Sequence, residues 1–172
     1  MKKLLLCITL FFLGCGGIPE NIVPVQGFDI DRYLGTWYEI ARLDHPFERG
    51  LEQVTALYSL RSDGGINIVN RGFNPKKNMW KEAVGKAYFV VDPHVGRLKV
   101  SFFGPFYGGY NIIALDKTDY SYALVCGPSR SYLWILAREP RLDESIQSAL
   151  VHKAEALGFE TGELVYVKHR KE

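Results

Sequence analysis

The chain has 172 residues, with 21 Lys and Arg against 19 Asp and Glu, and is rich in Tyr and Phe. Its length suits one domain with a sizeable core, and it carries no repeat or low-complexity tract. A formal net charge of +2 removes the electrostatic basis for a nucleic-acid partner.

At the N-terminus, Met1-Lys2-Lys3 leads into the apolar run Leu4 to Leu13 and then Gly14-Cys15-Gly16-Gly17, the layout of a secretory signal with small residues at its cleavage point. The run is too short to span a bilayer, which takes about 20 apolar residues. A cysteine directly after Leu13-Gly14 resembles the acylated cysteine of bacterial lipoproteins. The expectation is therefore a signal peptide over 1–14, lipidation at Cys15, a linker to residue 26 and one domain over 27–172. Gly16 stands where Asp would retain a lipoprotein at the inner membrane, so this resemblance implies a lipid-anchored protein of the outer membrane, facing the periplasm. Loss of Lys2 and Lys3 with the signal leaves basic and acidic side chains equal in number. With Cys7 discarded and Cys15 acylated, Cys126 is left without a disulfide partner and reads as a small buried hydrophobe.

From Gly35 onward, short stretches rich in Val, Ile, Tyr, Phe and Trp alternate with turns built on Gly, Pro, Asn and Asp. Eight strands are expected, at 36–44, 52–60, 65–71, 79–91, 96–103, 109–115, 121–127 and 131–138. All connections are short, which suits antiparallel neighbours, and an up-and-down sheet of eight strands can close on itself and so remove its edges. The period then changes. Leu142, Ile146, Leu150, Ala154 and Leu157 follow helical spacing, with Asp143 as cap and Gly158 as stop. The fold class read from this pattern is all-β, an eight-stranded antiparallel up-and-down barrel with one C-terminal helix on its wall and a short final strand in "TGELVYVKH". Meander topology puts Trp37, Arg138 and the 116–120 loop at one end, and the loops around Phe47, Asn74, Phe106 and Gly127 at the other.

Gly35, Trp37 and Tyr38 in "GTWYEIAR", an Asp-containing turn before Tyr122-Ala123-Leu124-Val125, and Arg138 after strand eight together resemble the three motifs of the lipocalin family. For the second motif Asp116 and Asp119 fit equally well. The stretches "KVSFFGPFYGGYNIIALD" and "ALVCGPSRSYLWILAR" are similar to the bacterial outer-membrane branch of that family. In physical terms, Trp37 closes the base of the barrel and the Arg138 guanidinium stacks on its face, a contact worth about 0.5–2 kcal/mol. These residues identify the container without naming its contents.

An eight-stranded barrel has room for side chains or for one small ligand. Alternation forward from Trp37 predicts Glu39, Ala41 and Leu43 on the inner face, and counting back from Arg138 predicts Leu136, Trp134 and Tyr132. Glu39 must be paired, hydrogen-bonded or protonated to be tolerated there. Phe47, Phe106 and Tyr107 are expected at the mouth. The family resemblance implies a fatty acid or lysophospholipid ligand, stored or carried beside the membrane that holds the acyl anchor, with a role in envelope maintenance under stress. No metal, cofactor or catalytic residue is expected: His45, His94, His152 and His169 lack metal-ligand spacing and there is no Gly-x-Ser-x-Gly elbow. Two other readings stay open, a lipid-modifying enzyme on the same scaffold and an integral outer-membrane barrel, although the latter needs neither an anchor nor a helix covering its wall. The oligomeric state is open, a homodimer included.

Overall fold

The computed structural model describes residues 17–170; the signal segment and Cys15 lie outside them. The strands are β1 (Gly35–Leu43), β2 (Glu52–Leu60), β3 (Ile66–Asn74), β4 (Met79–Phe89), β5 (Arg97–Phe103), β6 (Phe106–Leu115), β7 (Tyr122–Cys126), β8 (Leu133–Ala137) and β9 (Leu164–Tyr166). Strands β1 to β8 pair in chain order, all antiparallel, and β8 and β2 both pair with β1, so the sheet closes. β1 meets β2 only over Gly35–Tyr38. Beyond that the two diverge, and β9 fills the gap by pairing with Ala41–Leu43.

Two apolar clusters divide the molecule. One fills the lower barrel and includes Phe28, Tyr33, Trp37, Tyr58, Ile66, Leu98, Ile112, Val125 and Leu136. The other lies between the outer wall and helix α2 (Glu144–Ala156), with Leu150 and Ala154 on Ile40, Ile113, Leu124 and Ile135. The helix begins where the sequence expects: the Asp143 carboxylate accepts from the backbone N–H of Ser145 and Ile146. It ends before Gly158, whose φ of 79° is the left-handed conformation that glycine enters freely.

A bulge in β1 changes which residues face inward. Glu39 stands opposite Leu136 but Ala41 stands opposite Ile135, so Ile40 is an extra residue. The alternation slips by one there. Ala41 and Leu43, expected on the inner face, join the cluster beneath α2 instead. Arg42 takes the inward place, opposite Trp134. A second irregularity between Ile112 and Ala114 in β6 likewise hands Ile113 to the outer cluster.

Two further features depart from the sequence reading. A single helical turn, α1 (Ile30–Tyr33), precedes β1, capped by the Asp29 side chain. The segment expected as a linker is packed on the barrel from Gly17 onward. Asn111 Nδ2 donates to the Gly17 carbonyl at 2.8 Å, Ile22 is buried, and the Val25 N–H donates to the Ile112 carbonyl at 2.8 Å.

Candidate functional site

The closed end is stoppered by several rings. Trp37 is fully buried, its indole N–H donates to the Tyr33 carbonyl at 2.8 Å, and the Arg138 guanidinium carbon lies 4.0 Å from the centre of its ring. Arg138 also donates to the carbonyls of Thr36 (2.9 Å), Arg32 (2.7 Å) and Tyr120 (3.2 Å). One guanidinium thus ties β1, α1 and the β6–β7 loop together. Gly35 has a φ of 94°, and a side-chain carbon on it would come within 3.4 Å of Arg138. Of the two aspartates, Asp116 organises the loop, accepting from the N–H of Thr118 and from the N–H and hydroxyl of Ser121. Those bonds hold its carboxyl below the usual range, while Asp119 is exposed. Tyr38 points outward, edge-on to His169 at 5.6 Å. Tyr33 packs at a tilt on Trp37 with ring centres 4.7 Å apart and Phe28 likewise on Tyr33 at 5.2 Å, so the stopper is composite.

Above the stopper, three tyrosine hydroxyls meet inside the barrel: Tyr33 to Tyr110 at 2.7 Å and Tyr58 to Tyr110 at 2.8 Å. Burial pushes all three phenols well up from their ordinary value. The void among them, bounded by Phe28, Ile66, Leu98 and Val100, is about 10 Å³. That is room for about one water, so the lower barrel holds no guest.

The next level up is polar on one side. Arg42, turned inward by the bulge, donates to Glu39 at 2.6 Å and to the carbonyls of Glu48 (2.8 Å) and Leu51 (3.3 Å). The β1–β2 loop folds in over this pair. His45 Nε2 lies 3.0 Å from Glu48 Oε2, which also accepts from the Trp134 indole N–H at 3.1 Å. Burial and the neighbouring Glu48 charge push the Glu39 carboxyl well up, against the pull of Arg42. Burial raises Glu48 too, but contact with His45, Trp134 and Arg42 outweighs it and leaves that carboxyl below its usual value. His45 Nδ1 and Arg42 Nε are buried without a hydrogen-bond partner among the described residues. The sequence gives reason to seek a partner for Glu39, but Arg42, His45 and Glu48 escaped the reading. A charge of opposite sign three residues along an apolar strand is the signal for one broken alternation.

The opposite inner wall is mostly apolar, with Asn70 as its polar exception. Ile68, Gly85 and Phe102 follow one another across β3, β4 and β5, and one step nearer the mouth Ala56, Asn70 and Ala83 do the same across β2, β3 and β4. Ala83 is exposed, and Ala56, Asn70, Phe102 and Trp134 are half-buried, although alternation points each of them into the barrel. Gly108 pairs with Val100 on the same face, and a side-chain carbon added there would meet nothing within 4 Å among the described residues. The upper barrel is therefore an open, partly filled cup, with Lys81 at its rim opposite Gly72, over which Leu51 and Val54 pack. Trp134 and Leu136 face inward as alternation predicts. Tyr132 lies just before β8, stacked on Trp134 at 6.2 Å and parallel to Phe47 at 6.0 Å. Phe47 and Phe106 stand exposed at the mouth. Tyr107 does not line it: its ring packs outside, 6.4 Å from Tyr88 and 5.2 Å from Lys99 Nζ.

A closed eight-stranded meander, stoppered by a Trp–Arg pair and open at the other end, is the architecture of a small-ligand carrier. The chain matches the lipocalin-like domain model over residues 28–169 and belongs to the lipocalin family. It is 58% identical over 150 residues to the outer membrane lipoprotein Blc of Citrobacter freundii, covering 87% of this chain and 84% of that protein. It is 52% identical to the outer membrane lipoprotein Blc of Vibrio cholerae, covering 97% of each. Among solved structures, insecticyanin from the tobacco hornworm Manduca sexta superposes with a TM-score of 0.71 at 18% identity, over 90% of this chain and 88% of that one, a likeness of fold.

Proposed function

We propose that this lipocalin is an outer-membrane lipoprotein, anchored through Cys15, that binds one fatty acid or lysophospholipid in the upper half of its barrel. The observation that carries the reading is the inner wall that opens to solvent at Ala83, Phe102 and Gly108 above a packed base. An acyl chain lies along that wall and over Trp134. The anionic headgroup stays at the rim, where Lys81 faces inward. Burying a chain of about sixteen carbons gains on the order of 12 kcal/mol, of which ordering costs remove several, leaving affinity on the order of micromolar. The relatives named outer membrane lipoprotein support the anchor, and storage or transport beside the envelope follows from it. Binding rather than turnover suits the site. Cys126 is buried with its thiol pushed up to about 12, and the Glu39–Arg42 pair is tied up in its own contacts.

Native mass spectrometry of the protein expressed without residues 1–15, followed by extraction of what co-purifies, tests this. One lipid per chain is expected, and the same spectrum shows whether two chains associate. A ligand-free spectrum that stays so after incubation with lysophospholipid would refute the proposal.

A further inference from the structure

The N-terminal strap fixes where the anchor leaves the barrel. Gly17 is held against the upper part of β6, where Gly109 leaves no gap: a side-chain carbon on Gly109 would fall 1.7 Å from the Gly17 carbonyl oxygen. Asn111 clasps the same oxygen while lying within 3.3 Å of the Gly127 carbonyl in a mouth loop. From Gly17 the chain runs down the wall to the closed end, where Phe28 donates to the His94 carbonyl. One residue, Gly16, separates Cys15 from Gly17, two residue steps with a reach of about 7 Å when extended. The tip of the β5–β6 hairpin lies three residues beyond Gly109 on the same strand, about 10 Å away. That tip carries Phe103 and Phe106, 79% and 78% exposed, and across the mouth Phe47 is 62% exposed. Charge follows the same axis. Lys76 and Lys77 sit in the mouth-side β3–β4 turn, at the same end as Asp44, Glu48 and Arg49 of the β1–β2 loop, whereas the closed-end turns after β2, β4 and β6 carry Asp63, Asp92, Asp116 and Asp119 against Arg61 and Lys117.

We propose that the short tether holds the mouth of the barrel directly against the membrane, with the Phe103–Phe106 hairpin and Phe47 seated in the lipid interface. This rests on the reading of Cys15 as acylated. The acyl chains must lie in the bilayer, so a tether of one intervening residue brings the nearest exposed rings to headgroup depth, where apolar side chains flanked by lysines are favoured. A lipid can then pass between bilayer and cup without crossing water.

The test uses the full-length acylated protein carrying Phe106→Cys or Thr118→Cys, labelled with an environment-sensitive fluorophore; buried Cys126 does not compete for the label. The proteins are reconstituted into phosphatidylethanolamine–phosphatidylglycerol vesicles with brominated acyl chains, and flotation and quenching are measured. Flotation with quenching at 106 several-fold above that at 118 is the expected result. Flotation with equal quenching at both sites would overturn the orientation while leaving the anchor intact, whereas failure to float would overturn the anchor and the proposal with it. Gly109→Val, checked for folding by circular dichroism, dislodges the strap and lengthens the tether. Quenching at 106 should then fall towards the level at 118, and undiminished quenching would contradict the tether as the cause.

Discussion

Arg42 is the residue on which the polar side of the cup depends. Its guanidinium neutralises Glu39 and pins the β1–β2 loop through two carbonyls. Replacing it with Met leaves a buried carboxylate unpaired, which costs about 3–5 kcal/mol. Arg42→Met should therefore lower the urea midpoint sharply, and the double variant Arg42→Met/Glu39→Gln should recover most of the loss. Cys126 gives a pH-dependent counterpart. Its thiol is pushed up by burial to about 12, so the folded state resists ionisation that the unfolded chain undergoes near pH 9. Stability is unaffected by this group below about pH 9 and declines as pH rises from there towards 12. Cys126→Ala should flatten that alkaline decline in denaturation curves, and disulfide reagents at pH 8 should react with Cys126 only after unfolding. At this scale the sequence was uneven. Trp37 and Arg138 were legible because paired motifs fall at one end of a meander, whereas Arg42 was hidden because a bulge has no composition of its own.

Among the elements, β1 joins more of the molecule than any length-based view suggests, since β8, β2 and β9 all pair with it. Its bulge lets one strand serve two cores, Trp37 and Glu39 inside and Ala41 and Leu43 beneath α2. Helix α2 was legible in full, with its cap, stop and apolar face, because 3.6-residue periodicity over several turns is a strong signal. Truncating Leu150 to Ala should cost about 2–5 kcal/mol, read from thermal or urea unfolding. Arg138→Lys should also destabilise, because an ammonium cannot reach three carbonyls and stack on Trp37 together. The α1 turn was invisible, being shorter than any period that could reveal it. The strap over 17–26 was misread because its Pro and Gly suggested a tether, while its hydrogen bonds to β6 depend on a wall distant in sequence.

As a whole molecule, the barrel is graded along its axis from ring stopper to tyrosine trio, polar cluster and open cup. The order of strands and the polarity of the two ends were readable from loop lengths alone. How far up the packing reaches was not, because it depends on side-chain volumes meeting across the barrel. That boundary determines function. Trp134→Glu places a carboxylate beside Glu48 in the proposed acyl path, and lipid uptake measured by fluorescence should weaken at least tenfold. The most direct check of the central claim is the crystal structure of the protein with a dibrominated fatty acid, locating the bromines by anomalous scattering. The account predicts a peak inside the upper barrel, between Phe102, Ala83 and Trp134; a peak outside it, in the groove of about 350 Å³ that Ala114, Tyr122, Ile146 and Leu150 line beneath α2, or none within the barrel, would contradict it.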